Sequence, residues 1–148
     1  MCHVRPVTPL DLTTAPPRSP SEEVRGLCML PRMIDIVRGM LPGGSVGDYQ
    51  IGRGMSGVVL SAFGVSAAEF VELVHDASSD DDVAERLWLC RNVPATALSR
   101  RLRSLTVADV PDELRADFYR FYGSDHPADR RLFDILEADD AQAFIPQG

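Results

Sequence analysis

The chain of 148 residues contains no lysine, so all fifteen of its basic side chains are arginines. Without a lysine amine it cannot form the Schiff base of pyridoxal phosphate enzymes, and it lacks the phosphate-binding lysine of a P-loop. Only three histidines and three cysteines are present, and the cysteines at positions 2, 28 and 90 form no Cys-x-x-Cys pair. Because these shortages leave few ways to build a metal centre, we expect no metal and no cofactor.

Long apolar runs are absent as well. No stretch of about 18 apolar residues occurs, and the N-terminus lacks the apolar core of a signal peptide. An odd number of cysteines fits reduced thiols better than a disulfide framework. We therefore expect a cytoplasmic protein that does not associate with membranes.

The formal net charge is −7 at pH 7. An acidic surface repels nucleic-acid phosphates at long range, so we expect no nucleic-acid partner. The one short basic patch, Arg100-Arg101-x-Arg103, is interpreted as a solvated face or a subunit contact. The length fits a single domain.

Proline is concentrated at one end of the chain. Five of the eleven prolines fall within the first 20 residues, which disfavours a helix there and favours an extended conformation. Val7, Leu10 and Leu12 give this segment apolar side chains to bury. We therefore predict an extended arm, residues 1–18, that lies across its own domain or a partner subunit, followed by a helical domain, residues 19–148.

The rest of the chain shows the apolar period of short helices together with their capping residues. These are the capping boxes Ser19–Glu22 and Ser66–Glu69, Ser79 at a helix start and Gly64 at a helix end. We predict an all-α, single-domain bundle of six or seven short helices with an extended Pro-rich N-terminal arm. The predicted helical stretches begin at Ser19 and run to an interruption at Pro31, then cover 31–41, 58–63, 66–76, 80–93, 95–104, 111–122 and 127–137. On the later ones, Cys90 is predicted to pack in the core, and Leu114, Phe118 and Phe121 to form a buried stripe.

Residues 43–57 contain six glycines and are predicted to form a loop, in which only Tyr49–Ile51 resembles a strand. Gly52–Gly57 matches the G-x-G-x-x-G pattern of dinucleotide-binding loops. That pattern requires a preceding core strand and a βαβ unit, and neither is predicted here. The glycines are therefore interpreted as a flexible loop that leads into a helix.

Two other motifs have a chemical and a structural interpretation. Asp80, Asp81 and Asp82 follow Ser79 at a predicted helix start, where carboxylates stabilise exposed N–H groups, so a helix cap is favoured over a cation site. The Asp125–His126 pair could act as an acid and a base, although a helix entry explains it more simply.

The most promising candidate site combines the arm with the next predicted helix. Arg32, Asp35 and Arg38 follow one another at spacings of three, so they project from one broad side of that helix. Arg18 in the arm and Tyr49 in the following loop complete the set. Two interpretations stay open: an ion-pair ladder that holds the arm in place, and a pocket in which Arg18, Arg32 and Tyr49 bind a small anionic ligand.

The N-terminal half carries a group of specific short motifs: Asp11-Leu12-Thr13, Pro16-Pro17-Arg18-Ser19-Pro20, Leu30-Pro31-Arg32-Met33-Ile34-Asp35, Arg38 and Gly47-x-Tyr49. With these motifs the chain resembles a bacterial family known as domain of unknown function 5069. The match continues more loosely through residues 63–73 and 133–139, and the chain departs from the family pattern at the glycine-rich residues 52–57. The resemblance implies a small helical cytosolic protein and supplies no activity.

Three functions are compatible with these observations. The leading hypothesis is a noncatalytic interaction or regulatory module that forms a homo-oligomer or binds another protein, because no convergent catalytic set is found. The second is a binder of a small anionic ligand at an Arg-lined pocket. The third is an enzyme that uses Asp35 or the Asp125–His126 pair as acid or base.

Overall fold

The computed structural model of the chain describes residues 8–144. These residues form one mostly helical domain, which confirms the predicted fold class. The secondary-structure elements in chain order are β1 (Glu23–Val24), β2 (Leu27–Cys28), α1 (Leu30–Gly39), α2 (Gly54–Phe63), α3 (Ala67–Asp76), α4 (Asp80–Cys90), α5 (Ala95–Ser104), two 3-10 turns (Val107–Asp109 and Asp112–Leu114), α6 (Arg115–Tyr122) and α7 (Leu132–Ala143).

Within residues 8–144, no single helix is long and apolar enough to cross a membrane. Helices α2 and α3 reach the required length and apolarity only as a pair, and they are bent by 79° relative to each other.

Helix α1 is the centre of the domain. Nine of its ten residues are buried, and it packs against β1, α3 and α4. Pro31 stands in the first turn, where its missing N–H removes no helical hydrogen bond. Met33, Ile34 and Val37 join the core, yet Arg32 and Asp35 are buried as well. Because a buried charge requires a partner, these two side chains identify the polar interior of the fold.

The predicted helix that begins at Ser19 is wrong. Residues 23–28 form instead a short antiparallel hairpin in which Val24 pairs with Leu27. Arg25 and Gly26 both have positive φ, as a two-residue hairpin turn requires. Ser99 of α5 then accepts a hydrogen bond from the Cys28 N–H and donates one to the Gly26 carbonyl. These tertiary bonds satisfy backbone groups that a helix would have used within itself.

The arm, as far as it is described, lies across its own domain. The Leu10 N–H bonds to the Arg38 carbonyl, and the Leu12 N–H bonds to the Ser45 carbonyl. Leu12 is buried. A Cβ at Gly44 would come within 2.8 Å of the Leu10 and Arg38 carbonyl oxygens, so only glycine fits there. Residues 1–7 of the predicted arm, Val7 included, lie outside the described residues.

Three predicted helix ends in α2 to α4 are confirmed, whereas α4 ends at Cys90 rather than at residue 93. Ser66 and Glu69 form the predicted capping box, Ser79 caps α4, and Gly64 ends α2 in a left-handed conformation. The start of α2 differs from the prediction, because the helix begins at Gly54 rather than near Val58. Residues 49–51 form no strand.

The last helix begins five residues later than predicted. The carbonyls of Ala128 and Arg130 accept hydrogen bonds from Ala108 and Val107, and the Leu132 N–H donates to the Leu105 carbonyl. Because the backbone of residues 128–132 bonds to the segment after α5, a helix cannot form there, and α7 starts at Leu132.

Two burial predictions are wrong. Cys90 is exposed. Trp88 of the same helix packs against the core instead, with its ring 5.4 Å from that of Phe63 and its Nε1–H bonded to the Val93 carbonyl. Helix α6 has no buried residue in the described part of the chain. Leu114 and Phe121 are exposed rather than part of a buried stripe.

Candidate functional site

The structure brings the five predicted site residues together along α1. Arg32, Asp35 and Arg38 project from this helix, Arg18 comes from the arm, and Tyr49 comes from the loop after α1. They form two groups, one around the Asp35 carboxylate and one around the Asp140 carboxylate. We call them the Asp35 group and the Asp140 group.

The Asp35 group (Arg18, Asp35, Arg38, Asp80) holds the arm against α1. Asp35 Oδ2 accepts hydrogen bonds from the Arg18 backbone N–H at 2.9 Å and from Arg18 Nε at 3.0 Å. Asp35 Oδ1 accepts a third from Arg18 Nη2 at 3.0 Å. One nearly buried carboxylate thereby fixes both the main chain and the side chain of Arg18.

Asp80 supplies a second carboxylate to Arg18. Arg18 Nη1 donates to Asp80 Oδ2 at 2.8 Å, which links the arm to the first turn of α4. Burial lowers the pKa of the Arg18 guanidinium, but the hydrogen bonds to Asp35 and Asp80 outweigh burial and raise the pKa above its ordinary value. The Arg18 side chain is therefore a permanent cation with two anionic partners.

Arg38 extends this group toward the start of the arm. Its Nε donates to the Thr8 carbonyl at 2.7 Å, and its Nη1 lies 3.7 Å from Asp35 Oδ1. Asp35 thus lies between the guanidinium groups of Arg18 and Arg38, whereas the spacing on α1 predicts Arg32 and Arg38. Arg32 pairs with Asp140 instead.

The Asp140 group (Arg32, Tyr49, Asp140) joins α1 to α7. Arg32 Nη1 lies 2.6 Å from Asp140 Oδ2, and Arg32 Nη2 lies 3.1 Å from Asp140 Oδ1, which makes the pair bidentate. Only 5% of the Arg32 side chain and 9% of the Asp140 side chain is exposed. Arg32 Nη1 also donates to the Arg18 carbonyl at 3.4 Å, so the two groups form one network.

Tyr49 closes the Asp140 group from the loop side. Its hydroxyl donates to Asp140 Oδ1 at 2.8 Å, and its ring lies 5.4 Å from the Arg32 guanidinium carbon. Burial, together with the hydrogen bond to Asp140, raises the pKa of Tyr49 above its ordinary value. The phenol stays protonated at neutral pH and acts as a hydrogen-bond donor.

Two titratable groups near Asp140 are also affected by burial. Burial raises the pKa of Asp139, and the charge of Asp140 adds to this effect. Burial raises the pKa of Tyr122 as well. The surroundings of Asp140 therefore favour the neutral forms of its neighbours.

Sequence reasoning missed Asp140, the carboxylate on which the second group depends. A signal was present, since Phe133 and Asp140 lie seven residues apart and both are buried on α7. An acidic residue in register with the apolar stripe of a helix indicates a buried partner. Asp80 was interpreted as a helix-capping residue, and its bond to Arg18 could not be seen from local spacing.

The other motifs do not converge on this network. Asp80, Asp81 and Asp82 lie in the first turn of α4, as the helix-start interpretation predicts, and the Ser79 hydroxyl caps the helix by accepting the Asp82 N–H. His126 Nε2 lies 2.7 Å from the Tyr122 carbonyl oxygen, and its Nδ1 lies 3.4 Å from Arg130, so Asp125 is not its partner among the described contacts. The glycines at 52–57 form a bend and the first turn of α2.

Metal and thiol chemistry have little support among residues 8–144. No group of three or more His, Cys, Asp or Glu side chains there is arranged to hold a metal ion. Burial raises the pKa of the Cys28 thiol, which makes it a poor nucleophile. Cys90 is exposed and free, whereas Cys2 lies outside the described residues.

The network is chemically suited to holding the chain together. Each of its three guanidinium groups already lies against a carboxylate of the same chain. Two surface depressions, with volumes of about 520 and 330 Å³, lie elsewhere on either side of Leu89, and none of the five predicted site residues lines them. An anion at Arg18 or Arg32 would have to compete with Asp35 or Asp140.

The chain matches a known protein family. The family described as "Domain of unknown function (DUF5069)" matches residues 14–142, which is most of the chain. No curated protein matches the chain.

Proposed function

The chain belongs to the DUF5069 family, whose description names no activity, and we propose that it acts as a noncatalytic interaction module that assembles with copies of itself. The support comes from how its charged residues are used. The arginines that could receive a ligand are engaged with Asp35, Asp80 and Asp140, and so they stabilise the fold.

One observation carries the proposal. Three of the large apolar side chains that remain exposed, Leu114, Tyr119 and Phe121, are concentrated within eight residues at α6. Aromatic side chains on one short helix contribute most to binding when a second surface covers them. A helix with this composition and no buried residue fits a protein that functions by contact with another chain.

Assembly is tested by sedimentation velocity over a concentration range of roughly 1 to 300 µM. We expect the weight-average mass to rise from that of the 16.2 kDa chain toward a multiple of it. A mass that stays at one chain over the whole range would remove self-assembly from the proposal.

Binding of a small anion is the second candidate. Arg18 Nη1 carries two N–H groups and donates one hydrogen bond, to Asp80, within the described residues. About a third of the Arg18 side chain is exposed, so an anion could approach that atom. A thermal-shift screen with phosphate, sulfate and carboxylates tests this candidate. If Arg18→Met abolishes the largest stabilisation while Arg100→Met preserves it, Arg18 belongs to an anion site.

An enzymatic role has less support. The carboxylate of Asp35 is nearly buried and accepts three hydrogen bonds from Arg18. His126 contacts Tyr122 and Arg130 rather than Asp125. Neither candidate base is therefore arranged to take a proton from a substrate.

We place the protein in the cytoplasm as part of the same proposal. The two described cysteines, Cys28 and Cys90, are both free. A reducing compartment preserves such thiols. Retention of free Cys90 in protein purified from cells without added reductant, measured by mass spectrometry after alkylation, tests this placement.

A further inference from the structure

Helix α6 has two aromatic sides. Phe118 and Tyr122 turn inward, are half-buried, and lie with their rings 5.2 Å apart. The outward side carries Phe121, which is 56% exposed, and Leu114 precedes it by two turns on the same flank. Tyr119 is exposed on the other flank. The exposed apolar side chains therefore flank the outward half of the helix, whose middle carries Asp117 and Arg120.

The charges at α6 are nearly balanced. Asp112 lies 2.9 Å from Arg115, and Asp117 lies 3.4 Å from Arg120. With Glu113, residues 112–122 hold three acids and two bases, a net charge of −1. The chain as a whole carries −7, so two copies repel each other over most of their surface. Two copies approach there at a lower electrostatic cost than at a surface with a larger excess of one charge.

The surface around Leu89 carries a larger excess of negative charge. Leu89 is 86% exposed and is the most exposed of the large apolar side chains of residues 8–144. The depressions on either side of it are lined by four carboxylates against two arginines, namely Glu69, Glu72, Asp76 and Glu85 against Arg25 and Arg86. Two copies that met there would bring like charges together, so Leu89 is the weaker candidate for self-contact.

The outward side of α6 is self-complementary. Ala116, Asp117, Arg120 and Phe121 follow one another at spacings of one, three and one, so they line a single strip, which we call the α6 face. Reversal of this strip about the point between residues 118 and 119 exchanges Asp117 with Arg120 and Ala116 with Phe121. A negative charge then faces a positive one.

We propose that the α6 face is a homodimer interface, in which α6 packs antiparallel against α6 of a second copy about a two-fold axis. Asp117 of one copy faces Arg120 of the other, and Phe121 of one copy packs against Leu114 of the other, each contact being made twice. On one flank the two Leu114 and two Phe121 side chains cluster, and on the other the two Tyr119 rings meet. This inference rests on the proposed function, because it specifies the surface through which the protein assembles.

The size of the surface sets the strength of the contact. Helix α6 has eight residues, so a pair of such helices with their flanks buries less than the ~1,200 Å² of total area that a stable dimer typically needs. We therefore expect reversible association, with a Kd in roughly the micromolar range.

The first test compares two exposed apolar side chains. Phe121→Ser removes the largest side chain of the α6 face, and Leu89→Ser is its matched control on a different surface. We expect Phe121→Ser to weaken the dimer by about tenfold or more in sedimentation velocity, and Leu89→Ser to leave the Kd unchanged. Both residues are exposed, so neither substitution should disturb the core. Circular dichroism is the control for folding of each variant.

The second test reverses the charges. Arg120→Asp and Asp117→Arg each replace two attractive contacts with two repulsive ones, so each single variant is expected to weaken the dimer by about tenfold. The double variant D117R/R120D restores the opposite-charge contacts and is expected to return the Kd to near the original value. Asp117 and Arg120 also contact each other within α6. Thermal unfolding of each variant at a concentration where the protein is monomeric measures the loss of that contact separately from the change in dimer Kd.

The outcomes distinguish failure of the α6 interface from failure of the self-assembly proposal. A dimer that persists in Phe121→Ser, or that dissociates in Leu89→Ser instead, overturns the α6 interface and leaves self-assembly in place. A double variant that stays as weak as the single variants overturns the antiparallel arrangement. If the unaltered protein is monomeric at every concentration, both the α6 interface and the self-assembly proposal fail.

Discussion

Arg32 and Asp140 form a buried bidentate ion pair that joins the central helix α1 to the last helix α7, although the two residues lie 108 positions apart in sequence. Tyr49 donates a third hydrogen bond to the same carboxylate. Since a buried charge is stable only when it is paired, each member of this group depends on the others. The position of α7 on the domain is therefore coupled to polar contacts as well as to apolar packing.

Removal of the Asp140 carboxylate is expected to destabilise the protein strongly. Asp140→Ala leaves the Arg32 guanidinium buried without its partner, so the free energy of unfolding should fall by about 3–5 kcal/mol. Urea denaturation followed by circular dichroism measures the change. Asp139→Ala, at the neighbouring and more exposed position of α7, is the matched control and should not destabilise the protein. A loss below about 1 kcal/mol for Asp140→Ala would show that Arg32 finds another partner.

The two contributions of Tyr49 can be separated. Tyr49→Phe keeps the ring against Arg32 and removes only the hydroxyl, so we expect a loss of about 1–2 kcal/mol, because the hydrogen bond has a charged acceptor. Tyr49→Leu also removes the cation–π contact and should cost a further ~0.5–1 kcal/mol. Urea titration of both variants measures the difference. Equal stability of the two variants would mean that the ring contact contributes nothing.

Asp35 is expected to control the arm. Asp35→Ala removes the acceptor of three hydrogen bonds from Arg18, so the arm should detach more often. Hydrogen exchange measured by mass spectrometry should show faster exchange in residues 8–20, where the Leu10 and Leu12 amides are bonded to the domain. Asp80→Ala removes one, more exposed, bond to Arg18 and should have a smaller effect. Unchanged exchange in Asp35→Ala would show that apolar contacts alone hold the arm.

Asp139 should introduce a pH dependence of stability. Burial, together with the charge of Asp140, raises the pKa of Asp139 above its ordinary value of 3.8. The folded state therefore holds this proton more tightly than the unfolded state, and the associated stability is complete below pH 3.8 and is lost as the pH rises through the folded-state pKa.

Asp139→Asn removes this titration. The variant is expected to be more stable than the unaltered protein at pH 7, and the difference should disappear at pH values below 3.8. Urea denaturation across this pH range measures it. If the difference in free energy of unfolding between Asp139→Asn and the unaltered protein is the same at every pH, Asp139 has the same pKa in the folded and unfolded states.

Ser99 is expected to hold the hairpin. Its hydroxyl accepts from the Cys28 N–H at 3.0 Å and donates to the Gly26 carbonyl at 2.6 Å. Ser99→Ala leaves two backbone groups unsatisfied in a largely buried place, so we expect a loss of about 1–3 kcal/mol. Ser104→Ala is the control, since its hydroxyl bonds only to Arg101 of the same helix. Similar losses in the two variants would contradict a special role for Ser99.

Features that depend on neighbouring residues could be predicted from the sequence. Ser66, Ser79 and Gly64 were identified as the ends of helices because a cap involves groups within one turn of the chain. The α1 residues Arg32 and Asp35 were identified as candidate site residues because their spacing places them on one broad side of the helix.

Features that depend on distant residues could not be predicted in this way. Ser19 and Glu22 do form the local contact that the sequence suggests, since the Ser19 N–H bonds to Glu22. The chain nevertheless continues as a hairpin, because Ser99 lies against it. Similarly, the segment before α7 bonds to residues 105–108 and stays irregular.

The sequence by itself determined which chemical groups the protein can use. With no lysine, all of its basic side chains except histidine are guanidinium groups, and the helix ends at Ser66, Ser79 and Gly64 are set by short-range capping. Only the tertiary structure decided where those groups are placed: Arg32 meets Asp140, Arg18 meets Asp35 and Asp80, and the aromatic side of α6 stays uncovered. The reason is physical, because a helix cap is complete within four residues, whereas a buried charge is satisfied by whichever opposite charge the packing of distant helices brings to it.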